Sequence, residues 1–331
     1  MARSSLMTVT ALTLLVLGAF TSTTLSQDSA ARRRPTTMTA DEFDKLFNEN
    51  RNWGRWGKDD TRGTINLITE VKRRQAAAAV KNGISVTVAH PLSTEQTVDN
   101  PRPLVQVMGP TFRTDTYAFS YHGCFITHLD ALCHYLYKET MYNGRPPSVS
   151  SAQGCFPGVE NFRDGIVTRG ILIDIPRLKG MAYLEPGTAI FPEEVEAWER
   201  KAGVKVSAGD AVLLHTGRWG RREKVGAWAA LGNASGFDIT MGSWIRSRDV
   251  AIAGGDVSVE VQTAQPYVEG QPFPLHTLFI AGLGIPILDN LDTEKLAETA
   301  AKLNRWEFLF MVAPLPVPGG TGSPVNPIAV F

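Results

Sequence analysis

Apolar positions along this chain recur with two periods. Residues 84–90 (ISVTVAH) alternate and are rich in β-branched side chains, which predicts a half-buried strand. Residues 165–176 (GIVTRGILIDIP) and 210–215 (DAVLLH) are nearly continuous apolar runs, as is 250–253, and these predict buried strands. Shorter strands are expected at 116–120, 124–130, 285–288, 307–312 and 328–331. Helical spacing follows Thr69, a candidate N-cap, through Ala79, with Gly83 as the stop. Pro192 followed by Glu193 and Glu194 opens a second helix, which runs to about Ala202 and stops at Gly203. Residues 275–283, closed by Gly284, and 293–303 predict two more. Strands outnumber helices and the two are interleaved. The expected fold is therefore α/β or α+β, with a mixed sheet or barrel. No repeat and no shift of composition marks a boundary, so residues 41–331 read as a single domain.

The first residues break this pattern. Arg3 precedes a run over 6–20 that carries no charge and is apolar apart from Thr8, Thr10 and Thr13; small and polar residues lead on to Ser26. That order predicts a secretory signal peptide over 1–26, cleaved near Ser26. The run falls short of the roughly 20 residues a spanning helix needs, although a retained anchor is the alternative. Export to a periplasm or the exterior is expected, with residues 27–40 as a flexible lead-in and no membrane association after cleavage. Lysine plus arginine and aspartate plus glutamate both total 33, so the net charge is zero. This balance removes the electrostatic case for nucleic acid or an anionic membrane and leaves a small molecule as the expected partner. Of the three cysteines, Cys124, Cys133 and Cys155, an odd count leaves at least one thiol unpaired.

Three of the six histidines lie within residues 121–135 (YHGCFITHLDALCHY), a stretch that is otherwise mostly apolar. On a strand, His128 and Asp130 point to the same face and can converge on one ion. Imidazole plus carboxylate suits Zn²⁺, Mn²⁺ or Fe²⁺. His134 returns toward that ion if the chain turns, near enough to act as acid or base. A single histidine in a strand is more often a hydrogen-bonded core residue than a ligand. The density here is what departs from that, because burying so many ionisable groups unpaired costs several kcal/mol each. A bound cation satisfies them.

The segment T-H-x-D-A-x-x-H resembles the metal motif H-x-G-T-H-x-D-x-P-x-H of the cyclase superfamily, which includes bacterial kynurenine formamidase and isatin hydrolase. Trp56-Gly57-Lys58-Asp59-Asp60 with Gly63-Thr64-Ile65-Asn66-Leu67 is similar to a further family block. So are Met141-Tyr142-Asn143-Gly144, Arg169 to Asp174, Gly209-Asp210 with Thr216-Gly217-Arg218, and Pro324 to Ile328. The resemblance implies a swivelling β/β/α fold, in a homodimer or larger oligomer. It implies His128 and Asp130 as metal ligands, Asp130 bridging where there are two ions, and His134 as the catalytic histidine. It also implies His276 and Asp289 as further ligands, with aspartate where the family has glutamate. At the family's first motif histidine this chain has Cys124, and the nearest histidine is His122; either can supply that ligand. His90 and His215, at strand ends, read as structural, and Asp174 and Asp256, also at strand ends, suit either a site role or turn chemistry.

The expected function is that of a metal-dependent hydrolase of linear or cyclic amides, arylformamidase-like. One or two ions, Zn²⁺ or Mn²⁺, would activate water, and His134 would move the proton. The same site also suits an isatin or lactone hydrolase or a polyketide cyclase. An exported metal- or ligand-binding protein is the reading from another class, and it has no need of His134. No G-x-S-x-G elbow and no G-x-G-x-x-G after a strand points to a serine hydrolase or a dinucleotide enzyme.

Overall fold

The computed structural model describes residue 1 and residues 33–331 except 112. The expected signal peptide over 1–26 lies outside the described residues, apart from Met1, as do residues 27–32 of the lead-in. From Arg33 the expected lead-in is tied down, which corrects the reading of it as flexible. The Ala189 N–H donates to the Arg33 carbonyl, the Thr36 N–H to Asp238, and the Met38 N–H to the Tyr267 carbonyl. Thr39 then caps helix α1 (Ala40–Asn50) in a reciprocal box with Glu42.

The strands, in chain order, are β1 (Ser85–Thr87), β2 (Val105–Met108), β3 (Asp115–Ala118), β4 (His128–Asp130), β5 (Ile166–Asp174), β6 (Ala189–Ile190), β7 (Ala211–His215), β8 (Gly236–Phe237), β9 (Ile252–Gly255), β10 (Ile287–Asp289), β11 (Glu307–Val312), β12 (Gly322–Pro324) and β13 (Ile328–Val330). Nine of them form one curled mixed sheet in the order β1-β13-β11-β5-β7-β9-β10-β4-β12. The run β5-β7-β9-β10 is parallel, and every other pairing in the sheet is antiparallel. Strands β7 and β9 are buried along their whole length. This is why their sequences are unbroken apolar runs: a parallel strand in the middle of a sheet is covered on both faces. Strand β11 alternates between half-buried and buried positions, as a strand with one exposed face does.

The remaining helices are α2 (Glu70–Ala78), α3 (Ile175–Lys179), α4 (Pro192–Ala202), α5 (Arg218–Val225), α6 (Met241–Ser247), α7 (Pro274–His276) and α8 (Glu294–Leu303). Thr69 caps α2, and α4 starts on Pro192 and ends on Gly203 in the left-handed region, as those residues dictate. Three expectations change in detail, the first being the strand expected over 84–90, which shortens to β1. The strand expected over 124–130 shortens to β4, because Gly123 sits at φ 147° and bends the preceding residues. The helix expected over 275–283 is a single α-turn, α7, followed by a π-helix over Thr277–Leu283. All seven π residues are buried, so no polar face marked the wider winding in the sequence. Strands β2, β6, β8 and β12 and helices α1, α3, α5 and α6 had no sequence expectation. No helix among the described residues is long and apolar enough to cross a membrane.

Candidate metal centre

The sheet brings the two halves of the site together through strand pairing. Strand β4 lies between β10 and β12, and in its register His128 is opposite Asp289 and Pro324. Leu129 is fully buried between His128 and Asp130, which places both polar neighbours on the other face. After β4 the backbone turns, with the His134 N–H donating to the Ala131 carbonyl, and His134 comes back over the site.

Asp130 is the hub. Its Oδ1 lies 3.1 Å from His122 Nδ1 and 3.5 Å from His128 Nε2. Its Oδ2 lies 3.7 Å from His276 Nε2 and 3.8 Å from His134 Nε2. Asp289 Oδ2 is 3.1 Å from His276 Nε2. Two groups of possible ligands result, His122–His128–Asp130 and Asp130–His276–Asp289, each with donor atoms within 4.8 Å of one another. They share Asp130.

Three of the imidazoles are each tethered at one nitrogen and present the other to Asp130. His128 Nδ1 donates to the Ile126 carbonyl at 2.8 Å, which leaves Nε2 with its lone pair facing the cluster. His122 Nε2 pairs with Thr321 Oγ1 at 2.9 Å, leaving Nδ1 inward. His276 Nδ1 pairs with Glu260 at 2.6 Å, leaving Nε2 inward. Outer partners that orient a histidine in this way are the usual companions of metal ligation. His134 differs. Its ring makes no hydrogen bond among the described residues and stacks on His122 with centroids 3.9 Å apart.

Whether these residues fit a cation can be tested on the unsatisfied atoms. His122 Nδ1, Asp130 Oδ1 and Asp289 Oδ1 are buried and have no hydrogen-bond partner among the described residues. The 3.1 Å approach of His122 to Asp130 is too poorly aligned to count as a hydrogen bond. Orphaned buried polar atoms are rare and costly, and three of the seven found among the described residues belong to the two donor groups around Asp130. Two carboxylates and three imidazoles suit a divalent transition ion. The donor set fits.

The charges of the cluster act strongly on one another. Burial alone would raise the Asp130 carboxyl, but the imidazoles of His134, His122 and His128 outweigh it and hold it well below the usual range. Burial would lower His276, but Glu260 and Asp289 outweigh it and hold the imidazole well above its ordinary value. His134 is lowered by burial to about 4, against the pull of Asp130. Burial pushes the Cys124 thiol up to about 11.

The structure thus brings together His122, His128, Asp130, His134, His276 and Asp289. It separates the two alternatives for the first ligand. His122 enters a donor group, carried inward by the bend at Gly123, whereas Cys124 belongs to neither group and stays protonated. Cys133 and Cys155 are joined in a disulfide, so Cys133 is not available to an ion. His215 hydrogen bonds Thr293, and Asp256 accepts the N–H groups of Thr216, Gly217 and Arg218. His90 is stacked on Trp219. Sequence reasoning missed Glu260. This fully buried carboxylate also accepts the N–H groups of Leu275 and His276, at 2.7 and 2.9 Å. The available signal was an acid in the apolar stretch 257–261 (VSVEV), where only a strong partner offsets burial.

The sequence matches the family described as Cyclase over residues 77–260. Comparison with curated proteins finds no match. Among solved structures, the crystal structure of a novel cyclase is 29% identical, with a TM-score of 0.76 over 85% of this chain and 99% of that one. Isatin hydrolase A from Ralstonia solanacearum is 21% identical, with a TM-score of 0.52 over 80% of this chain and 98% of its own. An isatin hydrolase bound to the product analogue thioisatinate is 18% identical, with a TM-score of 0.51 and the same coverage.

Proposed function

This chain belongs to the Cyclase family, and from that premise we propose that it is a metal-dependent hydrolase of carbon–nitrogen amide bonds. Its substrate is a linear formamide of the N-formylkynurenine type or a cyclic amide of the isatin type. The observation that carries the reading is the contrast among the histidines. His122, His128 and His276 are each tethered to present one nitrogen to Asp130, while His134 stands beside them untethered. His122, His128, Asp130, His276 and Asp289 would hold one or two divalent ions, zinc or manganese. When bound, such an ion supplies Lewis acidity, making a nearby water acidic and a carbonyl electrophilic.

The protein's own groups do the rest. His134 is neutral at neutral pH because burial lowers it to about 4. Its Nε2 can therefore accept the proton of the attacking water and return it to the departing amine. Proton transfer of this kind is worth roughly 10²–10⁴-fold. Cys124, held protonated, adds no negative charge to the cleft. A protein that only stored a metal would have no use for an acid–base group in this position.

The experiment measures bound metal, then follows hydrolysis of N-formylkynurenine, isatin and a simple lactone before and after chelation. Turnover of an amide that is lost with the metal and restored by Zn²⁺ or Mn²⁺ supports the proposal. Equal rates with and without metal, or turnover of the lactone alone, overturn it.

Two further proposals concern the whole protein. Export is supported by the leader pattern over 1–26 and by the Cys133–Cys155 disulfide, since such bonds persist in oxidising compartments. N-terminal sequencing of protein from the culture medium or periplasm tests it; a start at Met1 would reject cleavage. A homo-oligomer is supported by the β2–β3 ribbon, where Val105, Val107, Met108 and Tyr117 are each more than half exposed. A lone two-stranded ribbon is marginal in water. Light scattering of the purified chain decides between monomer and oligomer.

A further inference from the structure

A second cavity, of about 360 Å³, opens beyond the carboxyl ends of β5 and β7. It shares no lining residue with the metal cleft. Its walls are Asp174 and His215 at the strand ends, Pro176, Arg177 and Met181 from α3 and the turn after it, and Glu294 from α8. The carboxyl ends of parallel strands are where open α/β sheets usually hold ligands, and the volume is within the range of small-molecule sites.

His215 is the telling residue. It is 5% exposed and lines the cavity. Its Nδ1 is 2.7 Å from Thr293 Oγ1, with Asp256 Oδ2 at 3.7 Å behind it. With the proton on Nδ1, the side of the ring nearer that carboxylate, Nε2 carries a lone pair. Nε2 has no partner among the described residues. Glu294 adds a second acceptor: one oxygen takes the Gly220 N–H at 2.8 Å, and the other has no partner among the described residues. The charges of the other lining groups are already balanced. Asp174 takes the N–H and Nε of Arg177, and Glu298 pairs with Lys295. The cavity therefore offers acceptors, and Glu294, whose carboxyl burial raises above its usual range, is the lining acid with no basic partner among the described residues. Pro176, Met181, Ala182 and Ala297 supply an apolar wall. Neither compact donor group suited to a metal ion lies here. A ligand matching these walls needs several N–H donors, a positive charge and a short apolar body.

We propose that this cavity is a second binding site, separate from the metal centre, for a small primary ammonium compound held by His215 Nε2 and the Glu294 carboxylate. The test uses the full chain and n-butylammonium chloride, with n-butanol as the uncharged control, followed by calorimetry. Saturable one-site binding of the ammonium but not the alcohol is expected. Glu294→Gln should weaken it at least tenfold. Ala182→Trp, at an exposed lining position, should block it without touching the core. Asp289→Asn, in the metal cleft, should leave it unchanged. The site is overturned if the ammonium fails to saturate, if binding survives both Glu294→Gln and Ala182→Trp, or if Asp289→Asn abolishes it. Should Glu294→Gln fail to fold by circular dichroism, Ala182→Trp decides alone.

Discussion

Among single residues, the tethered and untethered histidines lead to different expectations. Removing His134 deletes a group without a hydrogen-bond partner that lies 3.8 Å from Asp130, so the ligand shell keeps its tethers. His134→Ala should retain metal, as measured by elemental analysis, and lose roughly 10²–10⁴-fold in kcat. Glu260 acts one step further out. It fixes His276 through Nδ1 and holds the backbone N–H groups of residues 275 and 276. Glu260→Gln should weaken metal affinity by roughly 10–100-fold in a competition titration, with the far-ultraviolet spectrum unchanged. Unchanged affinity would mean that Glu260 serves only the start of α7. Legibility in the sequence tracks this ordering. His128 and Asp130 were readable because strand period alone aligns them. His134 needed only a turn. His276 and Asp289 lie far along the chain and were assigned by family resemblance alone. Glu260 was missed because no local period relates it to residue 276.

For whole elements, the readable ones were those whose burial is uniform or strictly periodic. Strands β5, β7 and β11 and helices α2 and α4 fall close to their expected limits, since apolar runs and caps define them. The π-helical turn after α7 was read as ordinary helix because it is buried all round. Strand β12 was missed because Gly322-Ser323-Pro324 has no strand propensity and pairs only because β4 offers it an edge. The 131–158 stretch is set by a cross-link that its sequence did not reveal. Cys133 immediately precedes His134 and is bonded to Cys155, 22 residues on. A loop of this size constrains the unfolded chain by roughly 3 kcal/mol. The double variant Cys133→Ala/Cys155→Ala should lose about that much in urea unfolding, a figure of the order given by loop-closure entropy. A loss below about 1 kcal/mol would show that packing alone holds the loop.

At the scale of the molecule, one curled sheet serves both cavities. Its antiparallel end, β10-β4-β12, carries the candidate metal centre, and the ends of parallel β5 and β7 open on the second cavity. The order of strands in this sheet is far from their order in the chain. Strand β13 fills the gap between β1 and β11, and β12 borders β4, while Thr321 holds His122. Residues 321–331 thus complete the sheet in two places and anchor His122 of the candidate metal centre. Until that segment leaves the ribosome, the 85–87 strand has no neighbour and His122 no anchor. Neither the β1 edge of the sheet nor the seat of His122 can therefore form before residues 321–331 have been made.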